Sequence, residues 1–248
     1  MTVPPPAGGD DDVPRFLAAL GVPGVVDAHV HFLPERVMRK VWAYFDGAAA
    51  HYGTDWPIHY RLPEAERLAT LQKLGVRRFA PLVYPHKPGM ARWLTQWAAD
   101  FAAATPDAVP TATLYPEPDV ADYLGAAVAA GARVVKVHVQ VGGFDPRDPL
   151  LRPAWGLLAE AGVPVVVHCG HGPVRGAFTG LDVFGEVLAA HPRLPPCSRT
   201  PGCPTSPTRS RSSTATSGCT STRPWSARRS ANGWRRCRPT GPPGSPRR

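Results

Sequence analysis

Two histidines separated by one residue, His29 and His31, are the first side chains along the sequence that could do chemistry. They stand in the segment "VVDAHVHFLP", after a short apolar run that we interpret as a β-strand. In a strand the side chains of residues i and i+2 point to the same side, so both imidazoles can face one point. Two neutral imidazoles so placed suit Zn²⁺ or a similar divalent ion. The alternative is a pair of loop histidines, because the H-x-H pattern also occurs by chance.

A third histidine, His168, follows the apolar run of the segment "VPVVVHCGHG". The alternation that would point His168 inward would also point Val166 inward. Gly170 and Gly172 would let the backbone pass close to a bound substrate. We therefore predict that His168 is the third ligand of the ion. The alternative is a polar residue that merely marks the end of the strand.

The segment "RVVKVHVQV" places Lys136, His138 and Gln140 on one face of a predicted strand and valines on the other. Lysine is seldom fully buried without a partner. Lys136 could be carboxylated and bridge two metal ions, or it could pair with an acidic residue near the bottom of a barrel. We favour the structural role, because Lys136 precedes the end of the strand by several residues. His138 is predicted to bind substrate or to support the metal ligands, with a satisfied core histidine as the alternative.

The elements that must position these side chains alternate along the chain. We predict strands, from short β-branched runs, at 22–27, 76–84, 108–115, 134–140 and 164–169. We predict helices, from apolar residues at three- and four-residue spacing, at 64–74, 90–103, 120–130, 151–161 and 181–190. Strands that alternate with helices favour parallel βαβ units, and 248 residues suffice for one barrel domain. The predicted fold class is therefore α/β.

The last part of the chain, 195–248, has a different composition. It holds eleven arginines and no Lys, Asp or Glu, whereas the first 194 residues hold 17 basic and 19 acidic residues. The net charge of +9 therefore belongs to this tail. The tail contains no Leu, Ile, Val, Met, Phe or Tyr, so it cannot bury enough apolar surface to offset the entropy of ordering it. We predict disordered segments at 1–14 and 195–248, and a partial barrel at 15–194.

Two explanations of the tail compete. It could be a genuine basic arm that binds RNA or an acidic partner, although no RNP, KH or zinc-finger spacing accompanies the arginines. It could instead be a shifted reading frame, which in a GC-rich gene typically yields Arg, Pro, Ser, Thr, Gly, Ala, Cys and Trp. With freely chosen codons, a neighbouring frame reads Ala-Val-Leu-Ala-His-Ala-Gly-Met-Pro-Asp-Phe-Ala-Asp. That stretch would supply a buried strand, a histidine and the start of a helix, and we favour this explanation.

The motifs taken together resemble the amidohydrolase superfamily. The resembling segments are "VVDAHVHFLP" and "GARVVKVHVQVGGFDPRDPLLRPAWGLLAEAGVPVVVHCGHG", within residues 22–194. The branch that they resemble most is the amidohydrolase-related group with aminocarboxymuconate-semialdehyde decarboxylase-type enzymes. The resemblance implies a TIM-type (β/α)8 barrel, here truncated after about five β/α units. It also implies that His29, His31 and His168 bind a divalent metal, usually zinc.

The same resemblance leaves the catalytic residues of this chain unknown. The family also uses a histidine after strand six and an aspartate after strand eight, and the chain has no His, Asp or Glu beyond residue 194. The implied activity is metal-dependent hydrolysis of a small carboxylic, amide or lactone substrate, with metal-dependent decarboxylation as the alternative. His138, His171 and Arg175 are predicted to bind that substrate, although Arg175 could instead be a solvated loop residue. A third interpretation is a truncated product without activity.

The N-terminal segment and the hydropathy pattern bear on location and partners. The first 14 residues lack the basic and apolar segments of a signal peptide. No window approaches the 18 apolar residues that a membrane-spanning helix needs, a length of about 27 Å. We therefore expect a cytoplasmic protein with a small-molecule substrate and with neither a membrane nor a nucleic acid as partner. The oligomeric state, a homodimer included, stays open.

Overall fold

Parallel strands alternate with helices in the computed structural model, which describes residues 8–171 and 175–198. The strands are β1 Val25–Val30, β2 Val76–Pro81, β3 Thr111–Thr113, β4 Val134–His138, β5 Val165–His168 and β6 Pro196–Ser198. β2 to β5 fall within the predicted runs with shorter bounds, whereas β1 begins and ends three residues later than the predicted run 22–27. Each is rich in β-branched residues or closes a βα unit, as the sequence pattern indicates.

Helices connect these strands and cover their outer face. They are α1 Val13–Ala19, α2 Glu35–Asp46, α3 Ala48–Tyr52, α4 Glu64–Lys73, α5 Ala91–Ala104, α6 Val120–Ala129, α7 Val139–Gly142, α8 Arg152–Ala161 and α9 Leu181–Ala190. Short 3₁₀ turns precede α1 and α8, at Asp10–Asp12 and Pro149–Leu151. The predicted helices correspond to α4, α5, α6, α8 and α9, whereas α1, α2, α3 and α7 were not predicted. Within the described ranges, every helix is too short or too polar to span a bilayer.

The strands follow one another in space in the order of the sequence. β1 pairs with β2, and β3, β4, β5 and β6 form a second sheet, all in parallel. A parallel bridge between Phe79 and Ala108 joins the two sheets. Among the described strands, β1 has only β2 as neighbour and β6 only β5, and Val26 on β1 is 68% exposed. The predicted fold class, a parallel α/β barrel that stops short of eight units, is confirmed.

The barrel continues slightly past the predicted boundary at residue 195. Pro196–Ser198 pairs with β5, and the backbone N–H of Val165 donates to the carbonyl of Pro195 at 3.0 Å. A parallel strand can add to an open edge through backbone hydrogen bonds, which need no apolar side chains, so the composition of this stretch did not indicate the strand. The rest of the tail, 199–248, lies outside the described residues, so its disorder stays a prediction.

The ordered chain also begins earlier than residue 15. The three aspartates Asp10–Asp12 form a 3₁₀ turn that leads into α1, where Pro14 occupies the first turn. Acidic residues are favourable at the N-terminal end of a helix, and proline is tolerated in its first turn. These residues, which are also common in disordered segments, therefore fit the start of α1. The side chain of Lys73 pairs with Asp11 at 2.6 Å. Residues 1–7 lie outside the described residues.

The fourth strand is shorter than predicted. It ends at His138 instead of residue 140, and Val139–Gly142 forms the helical turn α7. The backbone N–H of Val141 donates to Nδ1 of His138 at 3.3 Å, and Gly143 takes a left-handed conformation with φ 64°. The imidazole thus caps the turn that ends the strand. Gln140 consequently lies in a helical turn and not on the strand face where the alternation placed it.

The two faces of the central strands bury different side chains. On the outer face, four valines of β4 and β5 pack beneath the helices in the main core, together with Trp155 and Phe184. On the inner face, Ala80, Leu82 and Val166 form a small separate cluster. Lys136, two residues before His138, is 0% exposed. The inner face therefore carries the chemistry-bearing residues towards the carboxyl ends of the strands.

Two glycines inside helices offer a test of the helical packing. A Cβ added at Gly156 in α8 or at Gly185 in α9 would meet nothing within 4 Å. Gly156→Ala and Gly185→Ala are therefore each expected to raise the free energy of unfolding by about 0.5–1 kcal/mol. Gly162→Ala is the control, since Gly162 ends α8 with φ 64° and alanine there is expected to cost roughly 1–2 kcal/mol. Urea unfolding measures all three, and a loss of stability at residue 185 would contradict the packing described.

Candidate metal and substrate site

The H-x-H histidines meet at the carboxyl end of β1. The two Nε2 atoms of His29 and His31 lie 3.2 Å apart, and their rings are nearly perpendicular at 83°. Both side chains are half-buried. The strand periodicity predicts that both rings face the same side, and the two Nε2 atoms do lie close together.

A backbone carbonyl determines the tautomer of His31. Its Nδ1 lies 2.9 Å from the carbonyl oxygen of Leu82, and because a carbonyl can only accept, Nδ1 is the donor. The neutral ring then carries its lone pair on Nε2, the atom that faces His29. Leu82 is itself held in place, since its N–H donates to Val30 at 2.7 Å. Histidines that bind metal usually donate the other ring N–H in this way.

The geometry of the pair fits a divalent ion. Two nitrogen ligands about 2.0–2.1 Å from a tetrahedral ion lie about 3.3 Å from each other, close to the spacing seen here. The two Nε2 atoms therefore match two positions of such an ion. Within the part of the chain that the structure describes, no group of three or more His, Cys, Asp or Glu is arranged to hold a metal. The assignment of His168 as third ligand stays a prediction.

His168 lies beside His138. The two residues are paired in the parallel register of β4 and β5, and their rings stack at 4.1 Å between centroids with 12° between planes. Side chains at equivalent positions of neighbouring strands project from the same face about 4.8 Å apart, and this spacing brings the two flat rings into contact. A neutral His138 that accepts from Val141 at Nδ1 carries its own proton on Nε2.

Tyr84 connects the two histidine pairs and was not predicted. Its ring centroid lies 5.1 Å from that of His31 and 5.0 Å from that of His138. Burial, with a smaller contribution from Tyr60, raises the pKa of Tyr84 to about 12, so its phenol is neutral at pH 7. Ala80 and Leu82 face inward. The same two-residue alternation, continued to residue 84, could have predicted that Tyr84 also faces inward.

Arg67 of α4 holds the loop that follows β1. Its guanidinium carbon lies 4.5 Å from the ring centre of Phe32 and 6.0 Å from that of Trp42. Its Nη1 donates to the backbone carbonyl of His31 at 3.4 Å. Burial lowers the pKa of Arg67 below its ordinary value. The cation between two aromatic rings thus reaches the backbone of one proposed ligand.

The remaining predicted residues lie in the loop after β5 and within β4. His171 is exposed in the loop after β5, and its Nδ1 lies 2.9 Å from Oγ1 of Thr179. Arg175 is exposed in the same loop, and its pairing with a substrate carboxylate stays a prediction. Lys136 lies deeper, fully buried in β4, and both interpretations of it, carboxylated or structural, stay predictions.

Comparison with known proteins points to one family. The model of a family described as amidohydrolase matches residues 26–198. An uncharacterized TIM-barrel protein from Bordetella bronchiseptica matches with 16% identity and a TM-score of 0.51, over 70% of this chain and 65% of that one. A 5-carboxyvanillate decarboxylase from Sphingomonas paucimobilis matches with 14% identity and a TM-score of 0.49, over 70% of this chain and 66% of that one.

Both matches cover a larger share of this chain than of the solved structure. The chain spans 65% of the length of the Bordetella protein, less than two thirds. A search among curated proteins finds no match. The family match ends at the last described residue of β6, so the family pattern and the described fold stop at the same place in the chain.

Proposed function

Because the chain belongs to the amidohydrolase family, we propose that its site serves the metal-dependent hydrolysis of a small carboxylic, amide or lactone substrate. The observation that carries this proposal is the pair of Nε2 atoms of His29 and His31, 3.2 Å apart at the carboxyl end of β1. Active sites of parallel barrels lie at that end of the strands. We further propose His168 as the third ligand and Zn²⁺ as the ion.

The chain's own residues would have distinct tasks in this reaction. The ion, when bound, supplies a Lewis acid and a means of activating water. The carbonyl of Leu82 keeps the lone pair of His31 on Nε2, and Arg67 holds the backbone of the same residue. The neutral Nε2–H of His138 and the neutral phenol of Tyr84 can donate to substrate oxygens.

A competent enzyme needs more than the described strands. A hydrolase of this kind requires a base that takes a proton from water, and the family residues for this task would follow strands six and eight. We propose that they are encoded in the neighbouring reading frame after residue 194. With freely chosen codons, the neighbouring frame reads a histidine where the residue after strand six would be required, and the aspartate after strand eight would have to follow further along that frame.

The experiment compares the chain as it stands with a version whose frame is restored after residue 194. Both are supplied with Zn²⁺ and assayed against amides, lactones and small carboxylic acids. Hydrolysis by the restored chain, at least about 100-fold faster than by the original, is the expected result. Release of carbon dioxide alone would favour the decarboxylase, which the same ligands would equally suit. A restored chain that turns over none of these substrates would contradict the proposal, and His31→Ala in the restored chain is the matched control.

A further inference from the structure

The loop that follows β5 contains a second histidine whose tautomer can be derived. The loop is closed at its base by a hydrogen bond from the N–H of Gly180 to the carbonyl of Cys169, at 2.7 Å. Within it the side chain of Thr179 is 4% exposed, whereas His171 is exposed. A buried hydroxyl therefore contacts an accessible imidazole at the carboxyl end of the barrel.

Three contacts converge on Oγ1 of Thr179. The N–H of Gly176 lies 3.0 Å away and the carbonyl oxygen of the same residue 2.9 Å away, and Nδ1 of His171 is at 2.9 Å. The hydroxyl has one proton, and the carbonyl can only accept it. All three contacts are satisfied together in one arrangement, in which Thr179 donates to the carbonyl of Gly176 and accepts from both N–H groups. Nδ1 of His171 is then a donor.

The consequence concerns the other nitrogen of the ring. A neutral His171 that donates through Nδ1 carries its lone pair on Nε2, and the residue is exposed. His31 shows the same pattern, with Leu82 in place of Thr179. Free imidazole side chains prefer the opposite tautomer, with the proton on Nε2, so the loop imposes a state that the ring would not otherwise favour.

Gly180, the residue after Thr179, takes a conformation and a position that exclude a side chain. Its φ is 145°, and a Cβ at this position would lie 2.2 Å from Oδ1 of Asp182 and 3.5 Å from Cε1 of His171. A side chain would therefore collide with the carboxylate of Asp182, whereas its contact with the imidazole of His171 would be an ordinary van der Waals contact. The φ of Gly180 is one that residues with a side chain rarely adopt.

We propose that Thr179 is a positioning residue that presents Nε2 of His171 as a hydrogen-bond acceptor for an O–H or N–H donor of the substrate. The recognition of substrate rests on the proposed function, whereas the tautomer rests on the contacts alone. The site would thus select, among small molecules, those with a hydroxyl or an amide N–H that reaches the loop after β5. An ester or ether in the same position would leave the acceptor without its donor.

The tautomer is tested by nitrogen NMR on the full chain labelled at histidine, with His171→Gln to identify the resonances. The wild type, Thr179→Ser and the control Thr70→Val, whose hydroxyl donates to a helix carbonyl, are expected to show Nδ1 protonated. Thr179→Val is expected to move the proton to Nε2. A wild-type ring with the proton on Nε2 would overturn the proposal, and so would an unchanged tautomer in a folded Thr179→Val chain. If the valine variant does not fold, the wild type and Thr179→Ser decide the question.

Recognition of a donor is tested with phenol and anisole, which differ in the O–H group. Phenol is expected to shift the Nε2 resonance of His171 several-fold more than anisole in the wild type, with the difference lost in Thr179→Val. Equal responses to the two compounds, or no response to either, would overturn the recognition of donors. If the wild type binds no Zn²⁺ at His29 and His31, the proposed function is refuted, whereas the tautomer result still stands. A failure of the proposed function is therefore distinguishable from a failure of the role of Thr179.

Discussion

Replacing His31 by alanine is expected to weaken the binding of Zn²⁺ by at least about 100-fold, because changes even one shell further from a metal typically cost 10–100-fold. The substitution removes one of two Nε2 atoms that lie 3.2 Å apart and leaves His29 without its neighbour. Isothermal titration calorimetry of the full chain with Zn²⁺, at a pH where imidazoles are neutral, measures the effect. His29→Ala is expected to behave in the same way.

The matched control is His191→Ala. His191 ends α9, at the amino-terminal side of the barrel, and its backbone contact with Val187 does not involve the imidazole. Its substitution is therefore expected to leave Zn²⁺ affinity within about twofold of the wild type. An affinity for Zn²⁺ that is equal in His31→Ala and wild type would exclude the H-x-H pair as the binding site. A loss of affinity in His191→Ala as well would indicate binding by scattered surface histidines.

Replacing Trp155 by alanine is expected to lower the free energy of unfolding by about 3–5 kcal/mol, the cost typical of removing a large buried aromatic side chain. Trp155 lies in α8, is 1% exposed and meets Phe184 of α9 edge to face. Its indole N–H donates to the carbonyl of Pro146 at 2.9 Å. The side chain joins two helices and the loop before α8, so a cavity there cannot close by moving one element. Urea unfolding followed by circular dichroism measures the loss.

Two further variants separate the contribution of the indole hydrogen bond from that of the buried ring. Trp155→Phe retains a ring but leaves the carbonyl of Pro146 without its donor, and a loss of about 1–3 kcal/mol is expected. Trp93→Ala removes a tryptophan that is 48% exposed on α5, and a change within about 0.5 kcal/mol is expected. Equal losses for Trp155→Ala and Trp93→Ala would show that α8 does not pack as described.

Much of the fold could be predicted from periodicity. The five β-branched runs and the helices between them follow from local spacing, and the inward direction of Lys136 and His138 follows from the alternation of a strand. Composition performed less well at the two ends. The acidic residues Asp10–Asp12 lead into α1, whose first turn holds Pro14, and Pro196–Ser198 adds a strand through its backbone hydrogen bonds.

The sequence by itself determined that His29 and His31 share one face, since a two-residue repeat is a local property of any strand. The tertiary structure alone decided what lies around them. Register between β4 and β5 placed His168 against His138, and the path of the chain after β2 brought Tyr84 to both histidine pairs. The tautomers of His31 and His171 depend on oxygens far along the chain or across a loop, at Leu82 and Thr179. Such contacts arise from how separate elements pack, and no local spacing encodes them.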